Sequence, residues 1–219
     1  MKGRVSGKLA LGAVRSADHA ILGRMLARVA EVYPEIEVGL QSHASEDVLR
    51  GLRSGALDAG FLIHAGSPDA DLNSVEISRF GIYLAAPPSM MGYQSGLDWQ
   101  QLAALPWICQ VSSTCCGRVA ESLFEKHGFR PSRVINVDQE GITRTLVAGG
   151  VGVGLLHQDS ALDAQRQGEA ILLGAALQDV TLQFVYPAAR ATETVIAAVA
   201  AVVAETAKTI RADAALGTA

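Results

Sequence analysis

Positive charge in excess, long apolar runs, aromatic residues and cysteine are all scarce in this 219-residue chain. With 18 Lys and Arg against 22 Asp and Glu the net charge is -4, and nothing in it suggests a basic face of the kind that grips nucleic acid or anionic lipid. The longest uninterrupted apolar run, Val195 to Ala204, is about half of the roughly 20 residues that a membrane span needs. The N-terminus MKGRVSGKLAL has no long apolar core of a secretory leader. Cys109, Cys115 and Cys116 are an odd number crowded into eight residues, not a disulfide framework. These absences lead to the expectation of a soluble, cytoplasmic protein with reduced thiols and no membrane partner.

What is present is a repeated plan of strand, hydroxyl-bearing loop and helix. Leu9 to Val14 is a short apolar run, and Ser16 stands where a helix N-cap belongs. Ile21, Leu22, Met25, Leu26, Val29 and Val32 then recur at helical spacing until Tyr33-Pro34. Ile36, Val38 and Leu40 alternate with polar residues, the pattern of a half-exposed edge strand. Ser45 reads as the cap of a second helix, Gly55 as its stop, and Ala59 to Ile63 as a buried third strand followed by His64.

Val75 to Ala86 reads as a strand that ends at Pro87-Pro88, where the chain is expected to cross into a second lobe. There the plan recurs: a short helix over Leu97 to Ala104, a strand over Trp107 to Val111, the loop SSTCCG, and a helix over Arg118 to His127 closed by Gly128. Val134 to Val137 is a further strand, Asp138 a candidate cap for a helix to Ala148, and Val151 to Leu156 a buried strand after Gly149-Gly150. Ala170 to Leu173 and Val180 to Tyr186 read as the last strands. Glu193 to about Ile210 reads as an Ala- and Val-rich helix packed back on the first lobe.

The stretches SGKLALGA, LARVAEVYPEIEVGL, LRSGALDAGFLI and LVAGGVGVGLL, in this order and spacing, resemble the effector-binding domain of LysR-type transcriptional regulators over nearly the whole chain. The resemblance implies an α/β fold of two Rossmann-like lobes joined by two crossing strands, like the type 2 periplasmic binding proteins. Lobe I would comprise residues 5–84 and 187–219, and lobe II residues 85–186. It also implies a regulatory fragment whose N-terminal DNA-binding domain and linker helix lie outside this chain. DNA would then be contacted only through that missing domain. The chain departs from the family pattern at His157, where proline is usual and a titratable group stands instead.

In two lobes of this build the strand-to-helix loops face one cleft, and helix N-termini there favour an anion. Lobe I would offer Arg15, Ser16, Ser45 and His64; lobe II would offer Ser113, Thr114, Cys115, Cys116, Asp138 and Gln139. The partner expected is a small effector, a carboxylate, sensed by a homodimer that becomes a tetramer in the full-length protein. The exposed side of Ala20 to Val32 and the edge strand Glu35 to Leu40 would pack against lobe II of a second copy. A bare helix-cap role competes for Ser16 and Ser45.

Cysteine redox sensing is the weaker reading of Cys115 and Cys116, because adjacent cysteines form a strained ring and Cys109 lies on a buried strand. No ligand spacing suggests a metal, and no cofactor is implied. GGVGVG follows a helix and precedes a strand, the reverse of a dinucleotide fingerprint. No serine elbow or other catalytic set is present, so an enzyme is not expected. A solute-binding protein of a transporter is the alternative on the same scaffold. Asp58 is expected to bond the turn it sits in.

Overall fold

The computed structural model describes residues 4–14, 19–65, 69–90 and 99–216. In chain order the elements are β1 (Gly7–Val14), α1 (His19–Val32), β2 (Ile36–His43), α2 (Ser45–Ser54), β3 (Ala59–Ala65) and the long strand β4 (Leu72–Ala86). They continue with α3 (Trp99–Ala104), β5 (Pro106–Gln110), α4 (Cys115–His127), β6 (Arg133–Val137), α5 (Glu140–Ala148), β7 (Val153–His157) and α6 (Gln158–Arg166). A second long strand, β8 (Ile171–Pro187), and the helix α7 (Thr194–Leu216) complete the chain.

The chain forms two compact units: Met1–Arg79 with Thr181–Ala219, and Phe80–Val180. Both crossings therefore fall inside single long strands, β4 and β8. The sequence places them several residues later, at Leu84 and Tyr186. It also divides β8 into two strands at Gly174 to Asp179. The backbone continues through that stretch, with Gly174 and Asp179 at positive φ.

In unit 1, β1 lies between β2 and β3 and is parallel to both, with Gly7 opposite Ile36, Val14 opposite His43 and Leu11 opposite Ala59. The edge position expected for β2 is the observed one. It is exposed over most of its length, because only Ile36 turns fully inward. Met25 and Val29 of the α1 stripe are buried, and α7, whose Ile196, Val199 and Val203 are buried, packs on α1 and β1. Gly55 ends α2 at φ 76°, a conformation in which a Cβ would be strained. Asp58 is structural, but it ties β1 to Arg190 rather than bonding the turn it sits in. Its carboxylate accepts the Ala10 N–H at 2.7 Å and pairs with Arg190 at 2.8 Å, while its own N–H donates to the Ala10 carbonyl at 2.8 Å.

In unit 2 the strand order is β4-β7-β5-β6. β5 is parallel to β6 and β7, and β4 runs antiparallel to β7 with Ile82 opposite His157. Trp107 is fully buried. Its indole N–H donates to the Leu102 carbonyl at 2.8 Å, and its ring meets Phe124 edge-on at a centroid distance of 4.9 Å. On the opposite face of β5, Ile108 and Leu156 pack with Val147, Ala161 and Ala164 of α5 and α6. The helix α6 is absent from the sequence reading, because its inward residues are alanines and give little apolar signal.

Candidate functional site

The three parallel strands of unit 2 end at one edge, and each hands over there to a helix. β5 leads to α4, β6 to α5, and β7 directly to α6. Such an edge gathers free backbone N–H groups and the positive ends of helix dipoles. The first turns of α5 and α6 carry Glu140 and Asp159, whereas that of α4 holds no acidic residue. The N-terminus of α4 is thus the least compensated of the three.

α4 starts earlier than the sequence suggests, at Cys115, because Thr114 caps it. The Thr114 hydroxyl accepts from the Gly117 N–H at 3.1 Å and donates to the Val111 carbonyl at 2.8 Å. Cys115, Cys116 and Gly117 consequently lie in the first helical turn and are buried. A Cβ on Gly117 would come within 2.1 Å of the Val111 carbonyl oxygen, so only glycine fits this turn. Ser113 is half-buried beside the cap, and its carbonyl accepts from Arg118 at 3.2 Å. Burial pushes the Cys109 thiol up to about 11 and the Cys115 thiol up to about 12, so both are inert protonated thiols at neutral pH.

Next to this turn is a set of side chains that no sequence motif joins. His157 is the last residue of β7 and occupies the cap position of α6. Its Nδ1 pairs with Glu140 Oε2 at 2.7 Å, and its backbone N–H donates to Glu140 Oε1 at 2.9 Å. The Ser160 hydroxyl also donates to Glu140. Burial works to raise the Glu140 pKa, but these donors hold it below the usual carboxylate value. Burial likewise works to lower that of His157, but Cys116 and Glu140 beside the ring hold it well above the usual histidine value. The Phe80 ring meets the imidazole edge-on at 5.1 Å. His157 Nε2 is buried and has no hydrogen-bond partner among the described residues.

The remaining candidates are more scattered. Arg15 and Ser16 lie outside the described residues, as does the side chain of His64 at the end of β3. Ser45 is not a cap. Ala44 holds the cap position, and Ser45 is a buried first-turn residue of α2, because the helix starts one residue earlier than an N-cap Ser45 requires. Asp138 does not cap α5 either; Gln139 stands at that position without a side-chain bond, and both residues are exposed. Unit 2 therefore brings together Ser113, Thr114, Cys115 and Cys116, and adds Glu140 and His157. The unusual His157 was visible in the sequence; its partner was not, since Glu140 lies 17 residues away on another element.

A cavity of about 360 Å³ opens between α4 and β5–β6, with Gln110, Ser112, Glu121, Arg130 and Asn136 in its wall. Among the described residues no group of His, Cys, Asp and Glu could hold a metal ion, and no helix is long and apolar enough to cross a membrane.

Two Rossmann-like units, crossed twice by long strands and presenting parallel strand ends to helix N-termini, have the architecture of type 2 periplasmic-binding-like effector domains. Residues 2–208 match the LysR substrate binding domain, and the chain belongs to that family. The HTH-type transcriptional regulator CfxR of Cupriavidus necator is 24% identical over 173 residues, 78% of this chain and 53% of that protein. The HTH-type transcriptional regulator GbpR of Rhizobium radiobacter is 28% identical over 168 residues, 74% of this chain and 54% of that protein. The chain thus spans about half the length of these relatives. The effector binding domain of QuiR in complex with shikimate superposes with a TM-score of 0.74 at 11% identity, covering 94% of this chain and 99% of that one. The regulatory domain of CcmR from Synechocystis in complex with 2-PG gives 0.76 at 18% identity, covering 93% and 98%.

Proposed function

We propose that this chain is the effector-sensing part of a LysR-type transcription regulator and that it receives a small carboxylate at the carboxyl edge of its parallel strands. The observation that carries this reading is the N-terminus of α4, capped by Thr114 and free of acidic residues in its first turn. Ser113 supplies a hydroxyl there, and Thr114 holds the turn through its cap. In unit 1 the sequence candidates for the same effector are Arg15 and Ser16, outside the described residues, and Ser45 in the first turn of α2. Shikimate in QuiR and 2-PG in CcmR support a small, polar effector class. The effector acts by differential affinity for two arrangements of the protein, which changes how a DNA-binding domain outside this chain holds its operator.

The test is a thermal-shift panel of carboxylates, shikimate included, against neutral aromatic compounds, repeated on Thr114→Val. Stabilisation by a carboxylate that weakens in the variant supports the reading. Stabilisation by neutral aromatics alone sinks it.

Two open sheet edges support a homodimer. β2 presents Leu40, 44% exposed, and β6 presents Val134 and Ile135, 46% and 37% exposed. Unpaired edges carrying apolar residues need a cover. A second copy in antiparallel orientation supplies one, placing α1 and β2 of one subunit on α4 and β6 of the other. Light scattering of the purified chain checks this, and a strict monomer at high concentration counts against it. Among the described residues no arrangement favours catalysis over binding, and the cytoplasm is the compartment in which such a regulator works.

A further inference from the structure

Glu140 and His157 are a buried pair of titratable groups at the carboxyl edge of unit 2, with 13% and 11% of their side chains exposed. Glu140 opens α5, and His157 closes β7 at the cap position of α6. The carboxylate holds the imidazole Nδ1 at 2.7 Å and the His157 N–H at 2.9 Å. A proline at position 157 has neither that N–H nor that ring, so the pairing depends on the histidine. The register of β7 on β5 sets its distance from α4. Gly154 is opposite Ile108, which puts His157 level with Val111, one strand spacing of about 4.8 Å away. Val111 is the residue whose carbonyl Thr114 holds while capping α4. The pair therefore adjoins the helix start that carries the carboxylate reading.

We propose that Glu140 and His157 form a pH-sensitive charge switch, which adds one negative charge to this edge as pH rises and so loosens its hold on an anionic effector. The proposal rests on the carboxylate reading above. At neutral pH Glu140 is an ionised carboxylate and His157 an imidazolium, so the pair as a whole is neutral. Burial works to lower the imidazole pKa, but Cys116 and Glu140 beside the ring hold it well above the ordinary histidine value. As pH climbs through that raised value the Nε2 proton leaves for solvent, while Nδ1–H stays on the carboxylate. The contacts survive, and Glu140 is left with an uncompensated charge. At an effective dielectric constant of about 20, a unit charge roughly 12 Å from a bound carboxylate changes its affinity about tenfold.

The groups around the pair come from five elements. From β4 it meets the uncharged ring of Phe80. From α6 the Ser160 hydroxyl donates to Glu140, and Asp159 is exposed. Arg144, one turn along α5, is engaged by Asp163 at 2.9 Å and by Glu169 at 2.7 Å. At the end of β5 burial pushes the Cys109 thiol up to about 11, and after β6 Asp138 is exposed. From α4 come Cys116 beside the imidazole, Cys115 at about 12 and the exposed Arg118, which stays charged throughout. Cys116 is thus the group that a test must separate from His157.

The test has two parts, both on the intact chain. The His157 imidazole is titrated by NMR, assigned by its loss in His157→Gln, and the Gly117 amide in the first turn of α4 is followed in the same samples. Shikimate and inorganic sulfate, as the carboxylate and anion probes, are then titrated at several pH values on either side of the imidazole midpoint. The imidazole is expected to titrate above about 6.5, the Gly117 amide to shift with the same midpoint, and probe affinity to fall about tenfold through it. Two variants bracket the native protein. His157→Gln keeps Glu140 charged and is expected to bind weakly at every pH; Glu140→Gln keeps the contacts without the charge and is expected to bind tightly even at the alkaline end. A merely structural pair weakens binding in both variants alike, and that result overturns the proposal. So does an imidazole that titrates at or below the ordinary value, or a pH dependence that disappears in Cys116→Ser. Probe binding of equal strength at every pH sinks the switch alone, whereas no binding of either probe at any pH sinks the carboxylate reading and the switch with it. If a variant does not fold, coincidence or separation of the native imidazole and affinity midpoints decides.

Discussion

Glu140 holds His157 twice, through Oε2 to the ring Nδ1 at 2.7 Å and through Oε1 to the backbone N–H at 2.9 Å. A single carboxylate at the start of α5 therefore fixes both the rotamer of the imidazole and the end of β7 from which α6 begins. The alkaline side of the stability profile should report this pair. The folded pKa of His157 is raised, so its contribution is complete below the ordinary histidine value and is lost as pH climbs through the raised one. The folded pKa of Glu140 is lowered, so its contribution is present above the ordinary carboxylate value and is lost as pH falls through the lowered one. Urea unfolding between about pH 5 and pH 9 is expected to show stability declining toward the alkaline end, and His157→Gln is expected to flatten that limb.

Removing the carboxylate leaves a buried imidazole that has lost both its ion pair and its backbone anchor. Glu140→Ala is expected to destabilise unit 2 by roughly 3 kcal/mol, the usual effect of breaking a buried pair from one side. Denaturant midpoints followed by tryptophan fluorescence give the measurement, since Trp107 is in the core of the same unit.

Gly117 offers a test with an unexpected sign. It lies in the first turn of α4, where alanine is ordinarily favoured over glycine by about 1 kcal/mol. Here a Cβ meets the Val111 carbonyl oxygen at 2.1 Å and the Gln110 carbonyl oxygen at 2.8 Å. Gly117→Ala is therefore expected to lower stability by about 2 kcal/mol and to weaken effector binding, because the backbone of the capping turn must shift. A stabilised variant contradicts this account.

In unit 1 the corresponding test is Asp58. Its carboxylate joins the Ala10 N–H of β1 to Arg190 after β8, with 21% of the side chain exposed. Asp58→Ala is expected to cost about 2 kcal/mol, as for other partly buried hydrogen bonds to a charged group. Asp58→Asn, which keeps an acceptor for Ala10, should cost less. Thermal melts of the two variants side by side decide it.

Thr114 links stability to binding. Thr114→Ser preserves the cap and is expected to behave as the native protein, whereas Thr114→Val removes it and is expected to cost about 1 kcal/mol. Comparison of carboxylate affinity in the two variants separates loss of the hydroxyl from loss of bulk.

The order of elements was readable from the sequence by itself because the signals are local. Alternation marked β2 as an edge, Gly55 and Gly128 marked helix ends, and the stripe through Met25 and Val29 marked the buried side of α1. Local signals failed where energies come from far along the chain. The helix α6 buries alanines against a face completed by Ile108 and Val147, and β8 runs as one strand although Gly174 to Asp179 looks like a break. The site shows the same division. Thr114 and the thiols belonged to a recognisable strand-to-helix loop, but Glu140 and His157 are separated by 17 residues and share no spacing rule. Only the parallel register of β5, β6 and β7, which brings three strand ends to one edge, sets these two side chains against one another.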